Sequence, residues 1–131
     1  MKLLLDTHIW VWSLLDPSRL SARVRRALQN ESNELWLSPI STWEVLVLAE
    51  KGRLSVEPDA ARWVRRAWDA APFHEATLNR EVAIESRRIA LSHEDPADRF
   101  LAATAVVYEL TLVTADARLR RLKTPAVLPN A

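Results

Sequence analysis

The sequence predicts an α/β fold in which a mainly parallel sheet is covered by helices on both faces. Three observations carry that reading. Short apolar runs alternate with stretches of helical apolar spacing along the whole chain, beginning with Leu3, Leu4 and Leu5 and then Ile9, Trp10, Trp12 and Leu14. Strands that alternate with helices are joined by crossovers into parallel sheets. The chain has 131 residues with no repeat, low-complexity segment or linker, which suits one domain (residues 1–131) burying roughly 68% of its unfolded surface. Finally, Asp6 and Asp116 fall at or just after the ends of two candidate strands, where open parallel sheets bind their ligands.

Taken in order, residues 3–5 are a buried strand, and a helix begins near Thr7. Asp16-Pro17-Ser18 breaks it. Ser21 opens a second helix through Asn30, with Val24, Ala27 and Leu28 inward and Arg23, Arg25 and Arg26 on a solvated face. Residues 34–37 form a second strand; after Ser38-Pro39 an apolar helix covers about 41–51, and Gly52 ends it. Pro58 and Asp59 start another helix, whose stripe of Ala60, Trp63, Val64, Ala67 and Trp68 opposes Arg62, Arg65 and Asp69.

Residues 72–76 are a short strand, followed by a helix over 77–91 with Leu78, Val82 and Ile89 inward. The stretch from His93 to Ala105 then reads as a buried helix with negative charge at its entrance, Asp95 and Asp98 standing on either side of Pro96 and Ala97. Strand 111–114 delivers Asp116, a brief basic helix covers 118–122, and Val127-Leu128 is a last strand. The sheet therefore has four to five strands.

Composition removes whole classes of chemistry. With no cysteine there are no disulfides, thiolate zinc sites or cysteine nucleophiles, as fits a reducing compartment. The single glycine, Gly52, excludes Gly-rich phosphate loops and the nucleophile elbow. The apolar runs are too short to span a bilayer and the amino terminus has no secretory pattern, so a cytoplasmic protein without membrane attachment is expected. The formal charge is only +1, and three lysines among 18 basic residues leave 15 arginines. Arginine favours bidentate phosphate contacts, although GC-rich coding explains its abundance more simply.

Four acids, Asp6, Glu44, Asp98 and Asp116, with Asp95 as a fifth, form the candidate constellation. Each has a local explanation. Ser41-Thr42-Trp43-Glu44 has the form of a capping box, Asp95-Pro96-Ala97-Asp98 supplies a cap, a proline at the first helical position and a first-turn acid, and Asp6 and Asp116 are placed to cap the helices after their strands. One cap is worth about 1 kcal/mol, enough to justify any single acid. Yet all four lie where strands end or helices begin. If they converge, carboxylates about 4 Å apart repel by about 4 kcal/mol per pair at an effective dielectric of 20, and the cluster needs a cation or a shifted proton. Oxygen donors without a cysteine or histidine set favour Mg²⁺ or Mn²⁺.

Four segments in this order resemble those of the PIN-domain endoribonucleases, and within them the VapC-type toxins of bacterial toxin-antitoxin pairs: Leu4-Leu5-Asp6-Thr7-His8, Ser38-Pro39-Ile40-Ser41-Thr42-Trp43-Glu44, Asp95-Pro96-Ala97-Asp98-Arg99, and Leu112-Val113-Thr114-Ala115-Asp116. The resemblance covers practically the whole chain. It departs from the branch with the Asp-Pro-x-Asp-Arg motif at Glu94, where a basic residue is expected, and at Ala97, where a large aromatic is common.

The resemblance implies a PIN-like three-layer α/β/α sandwich and Mg²⁺-dependent hydrolysis of RNA phosphodiester bonds. It assigns Asp6, Asp98 and Asp116 to one or two metal ions, Glu44 to completing the site as a ligand or orienting the attacking water, and Thr114 to a helper hydroxyl. Asp95 is either a ligand or a cap; Thr7 and Thr114 either orient a water or touch a phosphate, or are merely β-favourable. Arg99 either meets the scissile phosphate or pairs with Glu94 or Asp95, and His8 is expected to pack structurally. A cognate small antitoxin and a homodimer are also implied, with the Trp63, Val64 and Trp68 stripe serving either the antitoxin or the core. The alternative is a catalytically silent module that binds RNA or protein and keeps its acids as caps. An aspartyl-phosphate phosphatase is disfavoured, because no second aspartate lies two residues beyond Asp6.

Overall fold

The structure, a computed structural model, describes residues 1–92 and 94–131; His93, at the head of the singled-out stretch, lies outside them. The elements are β1 (Lys2–Leu5), α1 (Thr7–Leu15), a 3-10 turn (Pro17–Arg19), α2 (Ala22–Gln29), β2 (Glu34–Leu37), α3 (Pro39–Glu50), α4 (Ala60–Asp69), β3 (His74–Glu75), α5 (Arg80–Arg88), α6 (Pro96–Val107), β4 (Thr111–Thr114), a second 3-10 turn (Leu119–Arg121) and β5 (Val127–Pro129). The strands form one five-stranded sheet in the order β3-β2-β1-β4-β5. Every pairing is parallel, so the sheet is entirely parallel, where the sequence predicted a mainly parallel one.

Because side chains alternate across a strand, β1 feeds two cores. Leu3 and Leu5 join Trp10, Val24, Val45 and Val64 on one face, while Leu4 joins Ala97, Leu101, Ala105 and Leu112 on the other. Helices α1 to α4 therefore cover one face and α6 the other, which makes three layers. Trp10 is fully buried, with Trp63 tilted against it and Trp68 edge-on to it, each at 6.0 Å between ring centroids. The Trp63, Val64 and Trp68 stripe thus packs on the first core.

Several boundaries differ from the sequence reading for local reasons. Helix α3 begins at Pro39, because the Ser38 hydroxyl caps it by accepting from the Ile40 amide at 3.1 Å; Ser41 and Glu44 are therefore not a capping box. Helix α5 begins only at Arg80, where Asn79 accepts from the Val82 amide at 2.9 Å, and Leu78, left outside it, is 42% exposed rather than inward. The turn Pro17–Arg19 was not foreseen.

At the end of α3, Gly52 adopts φ +68, donating to the Ala49 carbonyl while Arg53 donates to that of Leu48. This is the paired-bond C-terminal motif that favours a left-handed residue. A β-carbon there would meet nothing within 4 Å, so Gly52→Ala isolates backbone strain. It is expected to lower unfolding stability by about 1 kcal/mol in urea titration.

Candidate active site

Strands β2 and β4 lie on opposite sides of β1. The chain reverses its lateral direction there, and such a switch point opens a crevice beyond the carboxyl ends of the strands. A cavity of about 310 Å³ occupies the position, bordered by Asp6, Glu44, Asp95, Asp98 and Asp116. All five candidate acids, from four separated segments, border it.

Asp6 follows β1 and is only 6% exposed. It occupies the N-cap position of α1, yet its side chain makes no capping bond. Instead Oδ2 accepts from the Thr114 hydroxyl at 2.6 Å, and that hydroxyl oxygen accepts from the Asp116 amide at 3.0 Å. Burial pushes the Asp6 carboxyl above its ordinary pKa and the Asp98 charge adds to this, while the Thr114 bond and His8 oppose it.

Glu44 lies in the second turn of α3. Its Oε1 accepts from the Thr7 hydroxyl at 2.5 Å, and Thr7 Oγ1 also pairs with Ser41 Oγ at 2.9 Å. Burial raises its pKa too, with the Thr7 bond acting against the rise. Thr7, Ser41 and Thr114 are themselves fully buried, so Thr7 and Thr114 are fixed props behind Glu44 and Asp6, and Ser41 in turn meets Thr7.

The paired acids of α6 divide their labour. Asp95 caps the helix, Oδ1 accepting from the Asp98 amide at 3.1 Å, whereas Asp98 is 8% exposed and reaches the cavity. Asp116 is hooked by its own turn: Oδ1 accepts from the Arg118 amide at 2.7 Å and Oδ2 meets Arg118 Nη2 at 3.0 Å. The Arg118 side-chain bond holds the Asp116 carboxyl below its ordinary pKa.

Arg99 takes the ion-pair alternative, whereas His8 and Arg118 depart from expectation. Arg99 turns away from the cavity and is 6% exposed. Its guanidinium donates to the carbonyls of Ser86 (2.9 Å), Leu91 (3.0 Å) and Ile89 (3.2 Å), fastening the start of α6 to the end of α5; it also lies 3.9 Å from Glu94. It is not among the residues that border the cavity. His8 is exposed and borders the cavity beside Trp12, 5.7 Å between ring centroids. Arg118, which the sequence offered only as part of a basic turn, bridges Asp98 (3.4 Å) and Asp116 (3.0 Å). The signal that would have found it is an arginine two residues after a strand-end aspartate.

The donor set fits a hard divalent cation. Five carboxylates border one small cavity, two of them buried, and the single positive charge of Arg118, shared between Asp98 and Asp116, offsets only part of their charge. Among the described residues no three His, Asp or Glu groups stand in ready metal-holding geometry; Arg118 draws Asp98 and Asp116 toward itself, so these carboxylates must turn to share an ion. No helix among the described residues is long and apolar enough to cross a membrane.

Comparison with known proteins agrees with this architecture. Residues 3–125 match the PIN domain. The chain is 32% identical over 125 residues to Ribonuclease VapC22 of Mycobacterium tuberculosis (strain ATCC 25618 / H37Rv), covering 93% of this chain and 92% of that relative. Among solved structures it is similar to VapBC2 from Rickettsia felis bound to a DNA fragment from their promoter, with TM-score 0.73, 15% identity and 98% of each chain covered. It is also similar to DNA-bound VapBC from Salmonella typhimurium, with TM-score 0.72 and 21% identity over 100% of this chain and 99% of that one. A parallel sheet with acids gathered at its switch point, read with a family match over nearly its whole length, establishes that this chain belongs to the PIN-domain family, among its VapC-type members.

Proposed function

We propose that this single-domain chain is a Mg²⁺-dependent endoribonuclease, the toxin of a type II toxin-antitoxin pair acting in the cytoplasm. The observation that carries the reading is Asp6: a buried carboxylate, uncapped, at the meeting point of four other acids. Caps alone leave that arrangement unexplained, because an isolated charge is costly to bury without a partner.

Asp6, Asp98 and Asp116 would hold Mg²⁺, or Mn²⁺ in its place, directly or through water. When bound, such an ion lowers the pKa of water and offsets the phosphate charge. Thr114 keeps Asp6 in one rotamer by its short bond, and Arg99 keeps Asp98 at the cavity edge. Glu44, fixed by Thr7 and with its pKa raised by burial, accepts the proton of the attacking water, a role favoured by a pKa closer to neutrality. In-line attack at phosphorus then breaks the bond to the leaving oxygen. Asp95 contributes as a cap.

Ribonuclease VapC22 is by name a ribonuclease, and the VapBC structures are toxin-antitoxin assemblies of the same fold. By that likeness the partners are an RNA substrate, a cognate small antitoxin and a second copy of this chain. The experiment is cleavage of structured RNAs by the purified chain in Mg²⁺ and in EDTA, beside Asp6→Ala and Asp98→Ala. Cleavage in Mg²⁺ alone, lost in both variants, is expected; cleavage that persists in EDTA or in both variants contradicts the reading.

The prop behind Asp6 gives a finer expectation. Thr114→Val removes one donor to Asp6 and one acceptor for the Asp116 amide at nearly constant volume. Loss of such an outer-shell partner typically costs 10–100-fold, and a fall of that order in initial cleavage rate is expected.

A further inference from the structure

A second groove, of about 520 Å³, lies between the end of α5 and the second 3-10 turn, and Arg118 borders both it and the acidic cavity. Its charged rim is Arg88, Arg118, Arg121 and Lys123 against Glu85, an excess of cations in a chain whose formal charge is only +1. Arg88 approaches Glu85 no closer than 4.0 Å. Arg121 and Lys123 are exposed and have no carboxylate within ion-pair distance among the described residues. Between these cations the groove has apolar walls from Ile89, Leu91 and Leu122.

Resting on the ribonuclease reading above, we infer that this groove is the track for single-stranded RNA flanking the scissile phosphate, with Arg88, Arg121 and Lys123 as its backbone contacts. The acidic cavity repels a polyanion, so a strand needs cations beside it to stay in register, and here the cationic groove and the acidic cavity share Arg118 on their borders. Such a groove suits a single strand better than a duplex, because unpaired bases can splay out and stack on the exposed Arg88 and Arg121 guanidinium planes beside the apolar walls. Phosphate contacts of this kind fix register and carry no sequence information.

The test is fluorescence anisotropy of a fluorescein-labelled single-stranded RNA of mixed sequence, titrated with the full chain in EDTA across a salt series. The variants are Arg121→Gln with Lys123→Gln and, as control, Arg65→Gln with Arg66→Gln on α4, which border neither cavity. All four side chains are exposed, and thermal unfolding checks that both variants fold. Removing two phosphate contacts is expected to flatten the slope of log K against log salt by about 1.4 and to weaken binding about 25-fold at 0.1 M salt, with the control unchanged. Equal loss in both pairs, or wild-type affinity and slope in the groove pair, overturns the track. A wild type that binds no RNA at low salt also overturns it, and Mg²⁺-dependent cleavage by that same wild type would leave the ribonuclease reading standing. Conversely, groove-specific binding with no cleavage once Mg²⁺ is added keeps the groove as an RNA-binding surface but overturns both the ribonuclease reading and the role of flanking a scissile phosphate.

Discussion

Asp6→Asn is expected to abolish RNA cleavage while making the metal-free protein more stable. The activity loss should reach about 10³-fold or more, because removing an outer-shell partner alone costs 10–100-fold and Asp6 would be a direct or water-bridged ligand. The gain in stability follows from linkage. Burial raises the Asp6 carboxyl above its ordinary 3.8 and the Glu44 carboxyl above its ordinary 4.5. As pH rises from those values toward the raised ones, the native state holds more protons than the unfolded state, and stability therefore falls. Asp116 has the opposite sign, since its pKa is depressed: its contribution is complete above 3.8 and is lost only as pH falls through its lower native value. Above the ordinary values of 3.8 and 4.5 the raised pair sets this trend. Melting in EDTA should therefore show wild-type Tm falling as pH rises above them, and Asp6→Asn should flatten that fall and melt higher than wild type once the pH has passed the raised values. This is the usual opposition between an active site and stability.

Arg99→Leu has the largest expected effect on stability. Its guanidinium satisfies three carbonyls from inside the protein, and each buried acceptor left without a partner costs about 1–3 kcal/mol. A loss of about 3 kcal/mol or more, near 10 °C in Tm, is expected from thermal unfolding. Arg99→Lys should be nearly as damaging, because an ammonium cannot span the three carbonyls as a planar fork does. An Arg99→Leu protein that melts like wild type but cleaves poorly would return Arg99 to a phosphate-contacting role.

How far the sequence reveals this molecule depends on the range of each interaction. Strand and helix order is legible because apolar periodicity is local, and the parallel sheet follows from alternation. Asp95 and Asp98 are separable in principle, since a residue just before proline at a helix start is a natural cap. The Ser41 to Glu44 box misleads because Ser38-Pro39, three residues earlier, is an equally good start and takes the helix; the same shift releases Glu44 to Thr7. Arg99 is ambiguous in sequence because its partners lie 8 to 13 residues away in a turn whose path only the packing of α5 on α6 defines. Arg118 was missed because its bond to Asp98 spans 20 residues. His8 could not be assigned to the cavity without knowing which way the first turn of α1 faces.

On the proposed reading the acids at the switch point form one cation site, and thermal unfolding of wild type and Asp98→Asn across a Mg²⁺ titration after EDTA treatment decides whether they do. A ligand that binds only the native state stabilises it by about 2.7 kcal/mol at 100 times its dissociation constant, so wild-type Tm should climb with Mg²⁺ and the Asp98→Asn Tm should stay flat. Equal climbs in both proteins, or no climb in either, would contradict the account.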